Sequence, residues 1–204
     1  MTTLIVNYGM GNLGSVSRAL EECGADVLVS ENPDDLSSAT HVVLPGVGAF
    51  RDGMTRLKQG GWVEPLTRFI ITEKFPLLGI CLGMQLLADI GHEGGETEGL
   101  GWIPGEVGRL NPSSKETRIP HIGWNEVHFK QESSFLSGID SGHDFYFVHS
   151  YHFAPRDPSH ALTTTPYCGD FVSSVQNENI LGVQFHPEKS SRMGLKLLQN
   201  FLDF

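Results

Sequence analysis

The first eighty residues alternate short apolar runs with amphipathic stretches. Leu4 to Asn7 reads as a short buried strand, and the glycine-rich turn after it opens a helix that reaches about Cys23, with Val16, Leu20 and Cys23 at helical spacing. Asp26 to Ser30 and His41 to Leu44 read as further strands, the second ended by Pro45-Gly46-Val47-Gly48. Helical stretches follow over Ala49–Gln59 and Trp62–Glu73, then an apolar strand from Phe75 to Ile80 that runs into Cys81. Beyond it, Leu82, Leu86, Leu87 and Ile90 place one apolar face on a helix. This rhythm predicts an α/β fold whose central sheet is mostly parallel and covered by helices on both faces.

The second half has a different texture. Short strand-like runs follow one another, split by Gly, Pro and Asp: Asn125–Phe129, Phe145–His149, Ala161–Thr164, Phe171–Gln176 and Ile180–Phe185. Consecutive strands of this kind are expected to pair antiparallel. A last helix, with Ser190 as its N-cap, buries Leu197, Leu198 and Phe201. Gly91–Gly101, rich in glycine and glutamate, is expected to be a mobile flap over a site. No repeat, low-complexity tract or long linker interrupts the chain, so residues 1–204 are expected to form one domain.

Composition narrows the class of partner. The 14 Lys and Arg against 24 Asp and Glu give a net charge of −10 without a basic cluster, which argues against nucleic acid or an anionic membrane. No apolar run approaches the roughly 18 residues of a membrane span, and the first residues lack a basic segment, so neither a span nor a signal peptide is expected. Three scattered cysteines (Cys23, Cys81, Cys168) are too few for a disulfide framework, and a cytoplasmic setting is expected.

The chemistry concentrates in two short segments. Gly79-Ile80-Cys81-Leu82-Gly83 has the form of a nucleophile elbow, a sharp strand-to-helix turn that exposes a reactive side chain. Cys81 is expected at the N-terminus of a Leu82–Ile90 helix, where positive partial charge favours the thiolate. His186-Pro187-Glu188 supplies a base and a carboxylate two residues apart, on one face of an extended stretch. If the strand Ile180–Phe185 runs parallel to the elbow strand, His186 reaches the same sheet edge, and Glu188 can fix its tautomer. Most cysteines are small buried hydrophobes, and Cys23 and Cys168 are read that way, as packing and as a surface turn. An acyl nucleophile also needs oxyanion donors. The Leu82 N–H is the first candidate. The second is the Pro45-Gly46-Val47-Gly48 turn, whose glycines permit a peptide to turn its N–H toward the site or away from it.

Two competing motifs are weaker. Gly9-Met10-Gly11-Asn12-Leu13-Gly14, with Glu31 ending the second strand, matches much of a dinucleotide fingerprint. That pattern is short and common, and a nicotinamide reading leaves the elbow and His-Pro-Glu without work, so a plain tight turn is preferred and no cofactor is expected. His121, His149 and His152 lack metal-ligand spacing and a cysteine pair, so no metal is expected either.

Gly79-Ile80-Cys81-Leu82-Gly83-Met84-Gln85 together with His186-Pro187-Glu188 resembles the class I (triad) glutamine amidotransferases. The finer resemblance is to the glutaminase subunits of imidazole glycerol phosphate synthases. It rests on Asn7 to Leu13, Leu44 to Gly48, Pro120-His121-Ile122-Gly123-Trp124-Asn125, Tyr146 to Tyr151 and Gly182 to Ser190, end to end along the chain. The resemblance implies a flavodoxin-like sheet and a glutaminase with Cys81 as nucleophile, His186 as proton carrier and Glu188 as its orienting partner. It implies that Gln85, Glu93 and the backbone near Ser150 and Tyr151 hold the charged end of L-glutamine. The Gly91-His92-Glu93 segment departs from the family's usual Ser-Glu-Glu. It further implies a synthase (cyclase) partner with a (βα)8 barrel, which takes up the ammonia to make imidazole glycerol phosphate and AICAR in histidine biosynthesis. Asn12, Arg18, Trp124, Tyr146 and Lys189 match positions near that junction. Two alternatives share the triad: an ammonia-supplying subunit for a sugar-amidating enzyme of surface polysaccharides, and a Cys-His peptidase or γ-glutamyl hydrolase.

Overall fold

The computed structural model describes residues 2–112 and 118–204. The chain runs β1 (Thr2–Val6), α1 (Leu13–Glu22), β2 (Asp26–Ser30), β3 (His41–Leu44), α2 (Phe50–Gln59) and α3 (Val63–Thr67), the last continuing as a π-helical turn over Arg68–Thr72. Next come β4 (Leu77–Ile80), α4 (Leu82–Gln85), β5 (Ile90–Gly91), β6 (Thr97–Glu98), β7 (Gly105–Arg109), β8 (His121–Phe129) and β9 (His143–His149). The last elements are β10 (Tyr151–Pro155), β11 (Ala161–Pro166), β12 (Asp170–Asn177), β13 (Ile180–Val183) and α5 (Ser191–Leu202).

Nine strands form one sheet in the order β2-β1-β3-β4-β13-β12-β11-β8-β9. The first five are mutually parallel in a flavodoxin-like order, and from β12 outward the pairing is antiparallel. The central parallel strands β3, β4 and β13 are buried along their whole length because both their faces are covered, whereas β2 at the edge is partly exposed. Leu4, Val6, Val42 and Leu44 pack with Phe50, Leu57, Trp62 and Leu66 of the α2–α3 layer. Ile5, Val43, Leu78 and Ile80 point the other way, against Val16, Leu20, Leu197 and Phe201 of α1 and α5. The period of two along each strand thus divides the core into two layers.

Three parallel strands set up the site. β3 and β13 flank β4, with Leu44 level with Gly79 and Val183 level with Ile80. Their carboxyl ends therefore release three loops at one edge, the usual place for a ligand crevice in an open α/β sheet. A second sheet, β10-β7-β5-β6, meets the first at Ser150, where the chain leaves β9 for β10.

Several expectations are corrected here. The Leu82–Ile90 helix is a single turn, α4, and Ile90 belongs to β5. The carbonyls that would continue it are taken from outside. The N–H groups of Leu100, Gly101 and Trp102 donate to Leu86, Ala88 and Leu87 at 2.8–2.9 Å. Gly91–Gly101 is no free flap: β5 and β6 pair as a hairpin, and Arg51 donates to the Gly94 carbonyl at 3.1 Å and to Thr97 Oγ1 at 3.3 Å. Ser190 does stand at the N-cap of α5, but its hydroxyl caps nothing. It donates to the His186 carbonyl at 2.6 Å and accepts from the Tyr146 N–H at 3.0 Å.

Candidate active site

Cys81 follows β4 directly and sits at φ 54°, ψ −108°, in the positive-φ region that a side chain adopts only when the surroundings impose it. Two things impose it. The Cys81 N–H donates to the Val183 carbonyl at 2.8 Å, so the turn is still stitched to β13. The flanking glycines then allow contact that no side chain would. A Cβ on Gly79 would lie 2.8 Å from the Gly83 oxygen and Met84 nitrogen, and one on Gly83 would overlap the Leu44 carbonyl oxygen.

His186 lies three residues beyond β13, at the same edge. Its Nδ1–H donates to Glu188 Oε1 at 2.8 Å, with the two side chains only 3% and 2% exposed. Burial, the largest single influence, lowers the imidazole pKa, but hydrogen bonding and charge from Cys81 and Glu188 outweigh it and raise it to about 9. His186 thus carries a proton at neutral pH, and Nε2, without a well-formed hydrogen bond, is left to the neighbouring thiol. Cys81, His186 and Glu188 stand together at this edge. The helix behind the sulfur is too short to contribute much charge.

The expected oxyanion donors do not converge. The Leu82 N–H donates to the Gly46 carbonyl at 3.3 Å, so the Gly46–Val47 peptide presents its oxygen where an oxyanion would need donors. Val47 is 44% exposed at the rim.

In front of Cys81 lies a cavity of about 500 Å³, lined by Val47, Leu82, Gln85, Glu93, Ser150 and Tyr151 among others. All four residues assigned to substrate therefore reach one pocket, of a size that suits a small molecule. Gln85 Nε2 donates to the Tyr151 carbonyl at 3.0 Å. Glu93 reaches back to the first turn of α2, where Oε2 accepts the Phe50 N–H at 2.9 Å and caps a helix that Ala49 leaves uncapped.

Of the residues matched to a partner junction, Trp124, Tyr146 and Lys189 form one cluster. Trp124 and Tyr146 meet edge to face at 6.0 Å, and Lys189 Nζ stands 5.9 Å above the Tyr146 ring. Asn12 and Arg18 are exposed on the neighbouring α1. Asn12 caps that helix through the Ser15 N–H, and Arg18 shares a cleft of about 340 Å³ with Glu188.

Sequence reasoning missed Gln184, which is fully buried with Nε2 3.6 Å from Cys81 Sγ. Its place two residues before His186, on the same strand face, was the available signal. It also missed Tyr8, a buried residue whose hydroxyl has no partner among the described residues, and against which a Cβ on Gly46 would press. Burial and the charge of Cys81 push the Tyr8 pKa up. The glycine-rich turn holds Asn7, whose amide donates to Glu31 at 2.9 Å, so that carboxylate is engaged. His121 and His149 hydrogen-bond to each other at 3.0 Å, and the described residues contain no group of three or more His, Cys, Asp or Glu placed to hold a metal. Likewise no helix among them is long and apolar enough to cross a membrane.

The family model for "Glutamine amidotransferase class-I" matches residues 4–203. The chain belongs to the class I glutamine amidotransferases. Among curated relatives, "Imidazole glycerol phosphate synthase subunit HisH" of Moorella thermoacetica is 49% identical over 97% of this chain and 92% of that protein. The proteins of the same name from Aquifex aeolicus and Pelagibacter ubique are 50% and 45% identical, over 98% and 100% of this chain and 96% and 100% of theirs. Solved amidotransferase structures share the fold at 18% identity. A putative GMP synthase subunit from Thermoplasma acidophilum superposes with a TM-score of 0.75 over 100% of this chain and 92% of that one. A glutamine amidotransferase from Thermotoga maritima gives 0.72 over 100% and 96%.

Proposed function

We propose that this amidotransferase is the glutaminase subunit of an imidazole glycerol phosphate synthase, working in the cytoplasm and supplying ammonia for histidine biosynthesis. The observation that carries the chemistry is the parallel pairing of β4 with β13, which sets Cys81 and the Glu188-held His186 at one edge. Relatives at 43–50% identity over nearly the whole chain, all bearing the synthase-subunit name, favour this reading over a sugar-amidating or peptidase role.

L-Glutamine enters the pocket with its charged end toward Gln85, Glu93 and the Ser150–Tyr151 backbone. The Cys81 thiolate, stabilised by the imidazolium beside it, attacks the side-chain amide carbon and a C–S bond forms. As the tetrahedral adduct collapses, the C–N bond breaks and His186 gives its proton to the departing nitrogen, which leaves as ammonia. Water then hydrolyses the glutamyl thioester, with His186 as base, to glutamate and free thiol.

The resting arrangement of Gly46 bars that adduct, because its carbonyl occupies the Leu82 donor. Rotation of the Gly46–Val47 peptide frees Leu82 and brings the Val47 N–H round in place of the oxygen. A synthase subunit with a (βα)8 barrel, docked over Trp124, Tyr146 and Lys189, drives this rotation and receives the ammonia before water can protonate it. The test is glutamine turnover by the isolated chain against that of the complex with its nucleotide substrate. A large rise is expected, and equal rates would remove the switch. Cys81→Ala should abolish glutamine-dependent synthesis while the partner still uses added ammonia. Loss of both would make Cys81 structural.

A further inference from the structure

A cysteine thiolate near neutral pH needs a cation or hydrogen-bond donors around the sulfur. Here α4 is a single turn, so its terminus supplies little, and His186 covers one side only. A further neighbour, whose donor stands within hydrogen-bond distance of the sulfur, is an amide. We propose that Gln184 is a second donor to the Cys81 thiolate, aimed at the sulfur by hydrogen bonds that run from His121 through His149, the Tyr151 carbonyl and Gln85.

Amide orientation usually has to be chosen from the surrounding network, and here one acceptor settles it. The Tyr151 carbonyl can only accept, so Gln85 turns its NH2 toward it at 3.0 Å. The same Nε2 lies 2.9 Å from Gln184 Oε1, which must therefore be the oxygen. The Gln184 NH2 is left facing Cys81 Sγ at 3.6 Å. On the other side of Tyr151 the logic repeats. His149 Nδ1 is 2.8 Å from the same carbonyl and carries the proton, so its Nε2 accepts from His121 Nδ1 at 3.0 Å. His121 Nε2 then accepts from Asn125 Nδ2 at 3.2 Å, on the strand that also bears Trp124.

The pattern needs both imidazoles neutral, and burial holds them so, lowering His149 to about 3 and His121 to about 4. Gln184, Gln85, His121 and His149 are all buried, where one reversed amide would leave two polar atoms unpaired. Gln184 donates a hydrogen bond and transfers no proton. It raises the thiolate fraction and restrains the sulfur toward the pocket. The role rests on Cys81 being the nucleophile, and the experiment separates the two claims.

Alkylation of Cys81 by iodoacetamide is followed against pH by mass spectrometry of its peptide, with the Cys23 and Cys168 peptides as internal controls. Gln184→Met keeps volume without a donor, and Gln184→Glu places an acceptor there. In Gln184→Met the alkylation midpoint should move up by about one pH unit, and further in Gln184→Glu. Wild-type midpoints in folded variants would overturn the proposal. A second reading does not depend on any Gln184 variant. The Gln184 side-chain amide protons should titrate in step with Cys81 and lose that transition in Cys81→Ala, and resonances indifferent to the Cys81 titration would also overturn it. Should Cys81→Ala retain glutaminase activity in the complex, the nucleophile reading falls, while the Gln184–sulfur bond is still judged by these titrations.

Discussion

At the scale of single residues, the site is built from side chains whose protonation is pushed in opposite directions. His186 is raised to about 9, so its native contribution to stability is complete below the ordinary value near 6.5 and is lost as pH rises through about 9. His149 and His121 are lowered to about 3 and about 4, so theirs is complete above 6.5 and is lost as pH falls toward those values. Urea denaturation across pH should therefore show two separate limbs. Glu188→Gln keeps an oxygen for Nδ1 but removes the charge, and should shift the alkaline limb to lower pH and leave the acid limb alone. NMR titration of the His186 ring should show the same fall directly. If Glu188→Gln leaves that titration unchanged, the carboxylate does not hold the imidazolium.

At the scale of elements, the same residue type has opposite consequences according to what its missing Cβ would meet. Gly83→Ala would drive a methyl group into the Leu44 carbonyl between α4 and β3, which neither backbone can yield, and should cost more than about 3 kcal/mol or abolish soluble expression. Gly14→Ala, in the first turn of α1, meets nothing within 4 Å and carries no positive φ, so it should stabilise by about 0.5–1 kcal/mol in urea denaturation. The elements that were legible in the sequence are those whose pattern is local. Leu4 to Val6 of β1, Val42 to Leu44 of β3, and β4 and β13 entire are runs without a polar side chain, and Cys81 with its glycines and His186 with Glu188 are contiguous motifs. β7 and β10 were missed, the first because Gly105 and Gly108 leave it few apolar side chains to alternate. The misread helix after Cys81 has a helical pattern, but the Leu100–Trp102 segment competes for its carbonyls from a distance no window covers. The contact between Leu82 and Gly46 and that between Gln184 and Cys81 were hidden for the same reason. They join residues far apart in the chain, and only the parallel order of β3, β4 and β13 brings them together.

At the scale of the whole molecule, the question is what covers the outer face of β8. Ile122 and Trp124, two residues apart on one side of the strand, are 60% and 52% exposed, the most exposed large apolar side chains among the described residues. Beside them stand Tyr146, whose carbonyl accepts the His186 N–H at 2.9 Å, and Lys189, in the turn that carries Glu188. A partner seated on this face would press within one hydrogen bond of His186, and from Trp124 the next residue, Asn125, begins the run that ends at Cys81. Trp124→Ala distinguishes a docking residue from a structural one. A half-exposed side chain contributes little to the isolated fold, so denaturation free energy should change by no more than about 0.5 kcal/mol. As an aromatic anchor it should cost about 2 kcal/mol or more in association, about thirtyfold in Kd by calorimetry against the synthase subunit. Glutamine turnover of the isolated chain should stay at its resting level, while turnover at limiting partner concentration should fall with the lost affinity and recover when the partner is in excess. An unchanged Kd would move the junction off β8, and with it the route by which a partner's arrival could turn the Gly46–Val47 peptide.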